Sequence, residues 1–157
     1  MKNKTSQKIS TAIKATLTIS LVIYLCSLFL EGLTYLDITR DGSFQKSYSS
    51  LELLLVGGIG VLGGGLLEFI VWLANPFYYY SIFLLISGKK EALKFLVFSN
   101  LLALSFRAWN EILVSESGRN AEITSFELGY YLWLGSFIIL LLGTFIEKRR
   151  ITPPNIA

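Results

Sequence analysis

The stretch LELLLVGGIGVLGGGLLEFIVWLANPFYYYSIFLLIS, residues 51–87, decides how the chain is threaded. It is apolar throughout, too long for one helical crossing and short for two with a turn between them, since a crossing of ~30 Å of hydrocarbon takes about 20 residues. Counting back from Lys89 at ~1.5 Å per residue, that thickness is used up near Phe69. The crossing helix is therefore expected at about 69–87. The segment 51–68 is left over on the outer side, with six of the chain's 13 glycines between positions 57 and 65. Glycine weakens a helix interior by ~1 kcal/mol, so this segment reads as re-entrant or interfacial. The competing reading makes it the first part of one long tilted helix, with Gly60 and Gly64 as a small-residue packing face.

Outward from this block, three more apolar runs stand out, at about 15–36, 93–109 and 128–146. None alternates with period two, so helices rather than barrel strands are expected. Composition agrees with a membrane protein. Of 157 residues, 53% are hydrophobic and 16% charged, with a mean hydropathy of +0.58, whereas a soluble domain carries about 25% charged residues. The expected fold is all-α, a single-domain bundle of four transmembrane helices plus the outer glycine-rich segment, with a disordered tail over 151–157.

Charge sets the orientation. The N-terminus, the junction GKKEALK (88–94) and the C-terminal EKRR together hold ten basic residues against Glu91 and Glu147. The remaining segments hold Arg40, Lys46, Arg107 and Arg119 against nine acids. The two sides carry +8 and −5, which sum to the net charge of +3. Positive residues stay on the cytoplasmic side, so both termini are expected in the cytoplasm and the protein in a bacterial inner membrane. A signal peptide is the rival for the first run. Leu25 before Cys26 suits neither a cleavage site nor a lipoprotein signal, so a retained anchor is expected.

The absences narrow the chemistry. There is no histidine, and the one cysteine, Cys26, cannot close an internal disulfide. GxSxG, HExxH, CxxC and GxxxxGK[ST] are missing from the sequence. The outer connections, about 37–50 and 110–127, read as loops rich in Gly, Ser and acids, Asp37 and Asp41 among them. No cofactor, no metal and no nucleic-acid partner is expected.

Polar groups at membrane depth form the candidate site. Pro76 lacks an N–H, so the Trp72 carbonyl loses its helical partner and must find another. Glu68 lies a turn earlier. On the third run Asn100, Ala103, Arg107 and Glu111 follow helical spacing on one face. At ~1.5 Å per residue, Arg107 and Trp72 lie at similar depth, about 22 and 24 Å from the cytoplasmic edge. The expected cluster is Glu68, Asn75, Asn100, Arg107 and Glu111, with Glu68 and Arg107 paired. It would be either a binding or permeation site or a structural pair that docks two helices. On the fourth run Gly129, Ser136 and Gly143 form a stripe fit for close helix contact. Tyr130, Tyr131, Trp133 and Trp109 read as an interfacial aromatic belt. The tyrosines of FYYYSIF (77–83) need partners for their hydroxyls inside the bundle.

WLANP (72–76), GKKEALK, LLALSF (101–106) and GYYLWL (129–134) together resemble a group of small four-span bacterial membrane proteins without an established activity. The resemblance covers about Leu51 to Gly143 and implies topology only. The chain departs from that group in Glu68 and in the density of its glycines. Three functions compete. The first is a non-catalytic membrane protein that packs with itself or within a larger assembly, or forms a small polar passage. The second is an immunity or accessory protein that binds a toxin or partner in the membrane. The third, an enzyme using Glu68 as acid or base, has no nucleophile motif or metal cluster behind it. Expected partners are the lipid bilayer and either a second copy or another membrane protein.

Overall fold

The computed structural model describes residues 10–39, 42–115 and 118–151. Ser10 accepts a hydrogen bond from the Ile13 amide at 3.2 Å and so caps α1, Thr11–Leu28. The chain then becomes extended rather than continuing as helix. β1 (Glu31–Thr39) and β2 (Gly42–Ser49) form an antiparallel hairpin in which Thr39 faces Gly42. β3 (Glu111–Leu113) and β4 (Asn120–Phe126) complete a four-stranded sheet in the order β2-β1-β4-β3. The all-α expectation is overturned by this sheet. The two connections read as loops are largely its strands, and Glu31 to Leu36, expected at the end of the first helix, belong to β1. Asp37 is likewise a strand residue, and Asp41 lies outside the described residues. β1 places Leu33, Tyr35 and Asp37 on its buried face at period two, the alternation of a half-buried strand.

The glycine block does not continue the second helix. Ser49 and Glu52 form a reciprocal capping box that starts α2, Ser50–Gly57. A 3-10 turn at Gly60–Gly63 follows, and Gly64 at φ +90° reverses the chain, a conformation that favours glycine. α3 (Leu66–Trp72) and α4 (Ala74–Ile86) then run back almost as one helix, interrupted at Leu73. α2 is pinned to α3 by Trp72, whose Nε1 donates to the Leu54 carbonyl at 2.7 Å. Gly57 and Gly58 lie against the Trp72 ring, where a Cβ would stand 3.0 Å from it. The block is thus a helical hairpin closed on an indole.

α5 spans Ala92–Ser105, tightens into 3-10 helix over Phe106–Ala108 and leads into β3. α6, Leu128–Ile151, returns along the bundle and carries the only described part of the expected tail, Ile151. The first and last helices pack side by side, α5 fits between α4 and α6, and the sheet and the α2–α3 hairpin close one end. Among the described residues, three helices are long and apolar enough to cross a membrane: Thr11–Leu28, Leu66–Ile86 and Leu128–Arg149. α5 has 14 residues, about 21 Å of helix.

The interior joins an apolar core, with Val71, Leu96, Phe137 and Leu140 in it, to a set of buried polar side chains. The buried residues of α1 are Ser20, Tyr24 and Ser27, while Ile19, Val22 and Leu25 face outward and are half exposed. Asn75, Tyr78 and Ser81 of α4, Ser99 and Asn100 of α5, and Ser136 and Thr144 of α6 are buried too. A water-soluble bundle turns its apolar stripe inward and its polar face out; here large apolar side chains stand on the outside as well as in the core.

Candidate functional site

Asn75 stands at the centre of the sheet end of the bundle. Its Nδ2 donates to the Trp72 carbonyl at 3.0 Å, the acceptor freed by Pro76. Its Oδ1 accepts from Tyr24 Oη and Trp133 Nε1, each at 2.9 Å. The amide orientation is fixed by chemistry, since an indole N–H can only donate and a carbonyl can only accept. One side chain therefore ties α1, α4 and α6 together. A second node lies deeper: Ser20 Oγ donates to the Ser136 carbonyl at 2.7 Å. Its one proton being used there, the 2.6 Å contact with Tyr78 Oη has the tyrosine as donor. Ser99 Oγ donates to the Ala74 carbonyl at 3.0 Å, and Tyr130 Oη to the Ala103 carbonyl at 3.1 Å.

Above Asn75, between α1, the α2–α3 hairpin, the sheet and the start of α6, lies a partly open cavity of about 110 Å³. Glu68 and Asn75 both line it, so two members of the expected cluster share one wall-bounded space. Glu68 Oε1 accepts from the Leu113 amide at 3.0 Å and thereby anchors β3 to α3. The other members lie elsewhere. Asn100 donates to the Leu96 and Phe137 carbonyls at 2.8 and 3.2 Å, and its Oδ1 is buried without a partner. Arg107 is exposed, with its guanidinium 5.1 Å from the Phe126 ring centre. Glu111 is an exposed strand residue that accepts from Asn120 at 3.1 Å. Among the described residues no ion pair joins Glu68 to Arg107; those present are Asp37 with Lys46 and with Arg119. The helical face carrying Arg107 ends with α5 at Ser105, and the tighter 3-10 turn rotates Arg107 away from the bundle.

The small residues divide by role. A Cβ on Gly143 would collide with the Thr16 side chain, and one on Gly129 with Ser50 Oγ and the Glu31 carbonyl. Both glycines let backbones approach closely. Ser136 is buried with its hydroxyl donating to the Trp133 carbonyl at 2.6 Å. A Cβ on Gly60 would make ordinary contacts, and one on Gly64 would meet nothing within 4 Å, so these two serve the turn and not a packing face. Of the aromatic belt residues, Tyr130 and Trp133 point inward to partners, whereas Tyr131 is exposed. Tyr78 is buried, while Tyr79 and Tyr80 are half exposed.

Of the residues lining the cavity, Trp72 belongs to the WLANP pattern, whereas Tyr24, Tyr48 and Ser50 carried no motif in the sequence. Ser50 Oγ is buried without a hydrogen-bond partner. Burial and the neighbouring Tyr35 push the Tyr48 phenol up to about 12. Hydrogen bonds from the Ser49 amide and hydroxyl hold Glu52 below the usual carboxylate range, and those from Ser125 and Thr34 do the same for Glu127. Comparisons with family models, curated proteins and solved structures found no match.

Proposed function

We propose that this chain is a non-catalytic integral membrane protein that acts by associating with other helices in the bilayer. The observation that carries it is the set of three long apolar helices with Ile19, Val22, Leu25, Phe83 and Leu142 exposed on them. Lipid tolerates that exterior, and water does not. The basic residues at the termini and at 89–94 support an inner-membrane placement with both termini cytoplasmic, which puts the sheet and the glycine hairpin on the external side. On the hairpin Leu55, Ile59, Leu66 and Leu67 are all more than half exposed, and Leu62 is 87% exposed. So many exposed apolar side chains on one short hairpin suit a neighbouring membrane protein at the outer face of the bilayer. A polar passage has less support, because the buried hydroxyls bond to one another and to backbone carbonyls across the bundle. The immunity or accessory reading has one observation in its favour: β2 is a sheet edge with exposed side chains, open to a pairing partner.

Alkaline phosphatase fused after Ala157 should be inactive, and fused after Gly118 active. The reverse pattern would overturn the orientation. Native mass spectrometry in mild detergent should give a species heavier than the 17.6 kDa chain. A uniform monomer, from membranes of the native host, would count against association.

A further inference from the structure

The cavity beneath the glycine hairpin plays no part in the association proposed above. Six aromatic residues from α1, β2, α3, the end of α5 and α6 line it: Tyr24, Tyr48, Trp72, Phe106, Tyr130 and Trp133. Its charged lining residues are Glu52 and Glu68, both acidic, and no lysine or arginine contributes. Among the described residues, the bases at that end are engaged elsewhere, Lys46 and Arg119 with Asp37 and Arg107 over Phe126.

Four of the lining donors are committed. Trp72 Nε1 is bound to the Leu54 carbonyl, Trp133 Nε1 and Tyr24 Oη to Asn75, and Tyr130 Oη to the Ala103 carbonyl. An anion entering the cavity would meet two carboxylates and few free N–H or O–H groups. The rest of the lining is aromatic and aliphatic, Leu28, Leu53, Val56 and Val71 among the latter, a low-dielectric wall in which the two carboxylates favour a cation and aromatic rings add to that attraction. Glu68 uses Oε1 for Leu113, and Glu52 uses Oε2 for Ser49, which leaves the second oxygen of each carboxylate without a hydrogen bond. Ser50, on the same wall, adds a buried hydroxyl without a partner.

We propose that this cavity binds an alkylammonium group, quaternary or a protonated amine, carried on an apolar body. The volume of about 110 Å³ is somewhat below the ~150 Å³ that accommodates benzene in an engineered protein cavity. It takes the cationic head, and the open side lets the apolar remainder lead out toward lipid.

The test uses the full chain in a neutral maltoside detergent, titrated with benzyltrimethylammonium and followed by tryptophan fluorescence. The control is neopentylbenzene, which has the same shape with carbon in place of the charged nitrogen. The cation should bind saturably and at least about tenfold more tightly than its neutral isostere. Glu68→Gln keeps the acceptor for the Leu113 amide and should weaken the cation about tenfold, leaving the isostere unchanged. Glu52→Gln, at the exposed rim, is the second variant if Glu68→Gln does not fold, with an expected loss of about threefold. Equal binding of cation and isostere, or no saturable response to the cation, would overturn the proposal. The source of the group is read in phosphatidylglycerol vesicles. Added phosphatidylethanolamine displaces the probe if a lipid headgroup is the ligand, and leaves it bound if the ligand is a free amine.

Discussion

The Asn75 side-chain amide donates to the Trp72 carbonyl at 3.0 Å, replacing the N–H that Pro76 cannot supply. The break and its repair are thus adjacent in sequence, and the repaired segment is the one that bonds to Tyr24 and Trp133. Replacing Asn75 by Leu leaves a carbonyl, a phenol and an indole N–H without partners. The expected loss of stability is about 2–4 kcal/mol, less than three full desolvation penalties because groups in a membrane find substitutes. Pro76→Ala in that background restores a backbone donor to Trp72 and should recover part of the loss. Thermal unfolding of the two variants in detergent checks both the sign and the rescue.

Two glycines of α6 predict opposite signs. Gly143→Ala forces α6 away from Thr16 and should destabilise, by roughly 1–3 kcal/mol if the helices cannot part freely. Thr16→Ala alongside it should restore some of that. At Gly135 a Cβ meets nothing within 4 Å, so Gly135→Ala should stabilise by up to about 1 kcal/mol through helix propensity. Melting temperatures of the three variants separate close approach from a general dislike of substitution in this helix.

Gly64 offers a test of backbone conformation alone. Its surroundings are open, so Gly64→Ala costs only the φ of +90°, about 1–2 kcal/mol. Gly60→Ala, with ordinary contacts and negative φ, should be nearly silent. If the two cost the same by thermal unfolding, the reversal at Gly64 is not what closes the hairpin.

Asp37 links sheet stability to pH. The Lys46 ammonium and then the Arg119 guanidinium hold its carboxyl below its ordinary value of 3.8. Because the folded value is the lower one, the sheet gains stability above 3.8 and loses it as pH falls from there through the folded value. Hydrogen exchange of the β1 and β2 amides, corrected for intrinsic rates, should be flat from neutral pH to about 5 and accelerate below 4. Asp37→Asn should remove that acid limb. It should also raise exchange at neutral pH, where Lys46 and Arg119 would face each other without the carboxylate.

The helices were legible because uninterrupted apolar runs leave little else at membrane depth. The Asn75 site was half legible: a proline in a helix names the carbonyl it orphans, but not which side chain answers. The sheet escaped notice because the start of β1 continues the first apolar run without a break and β2, GSFQKSYS, shows no apolar alternation. Tyr35 and Ile38 beside Asp41-Gly42 were the available hairpin cue. Arg107 was placed by counting rise along a helix that ends two residues before it.

Because α1 packs along α6, α1 waits for a helix made about a hundred residues later. During synthesis Ser20 and Tyr24 are made before Ser136 and Trp133 exist, and Asn75 and Tyr78 arrive between them. Asn75 bonds only half its Oδ1 until Trp133 emerges, and Ser20 has no carbonyl to bond until Ser136 does. A chain cut short before α6 would therefore leave the Ser20 hydroxyl without the Ser136 carbonyl and Asn75 without the Trp133 indole, and in the bilayer placement proposed above lipid could replace neither.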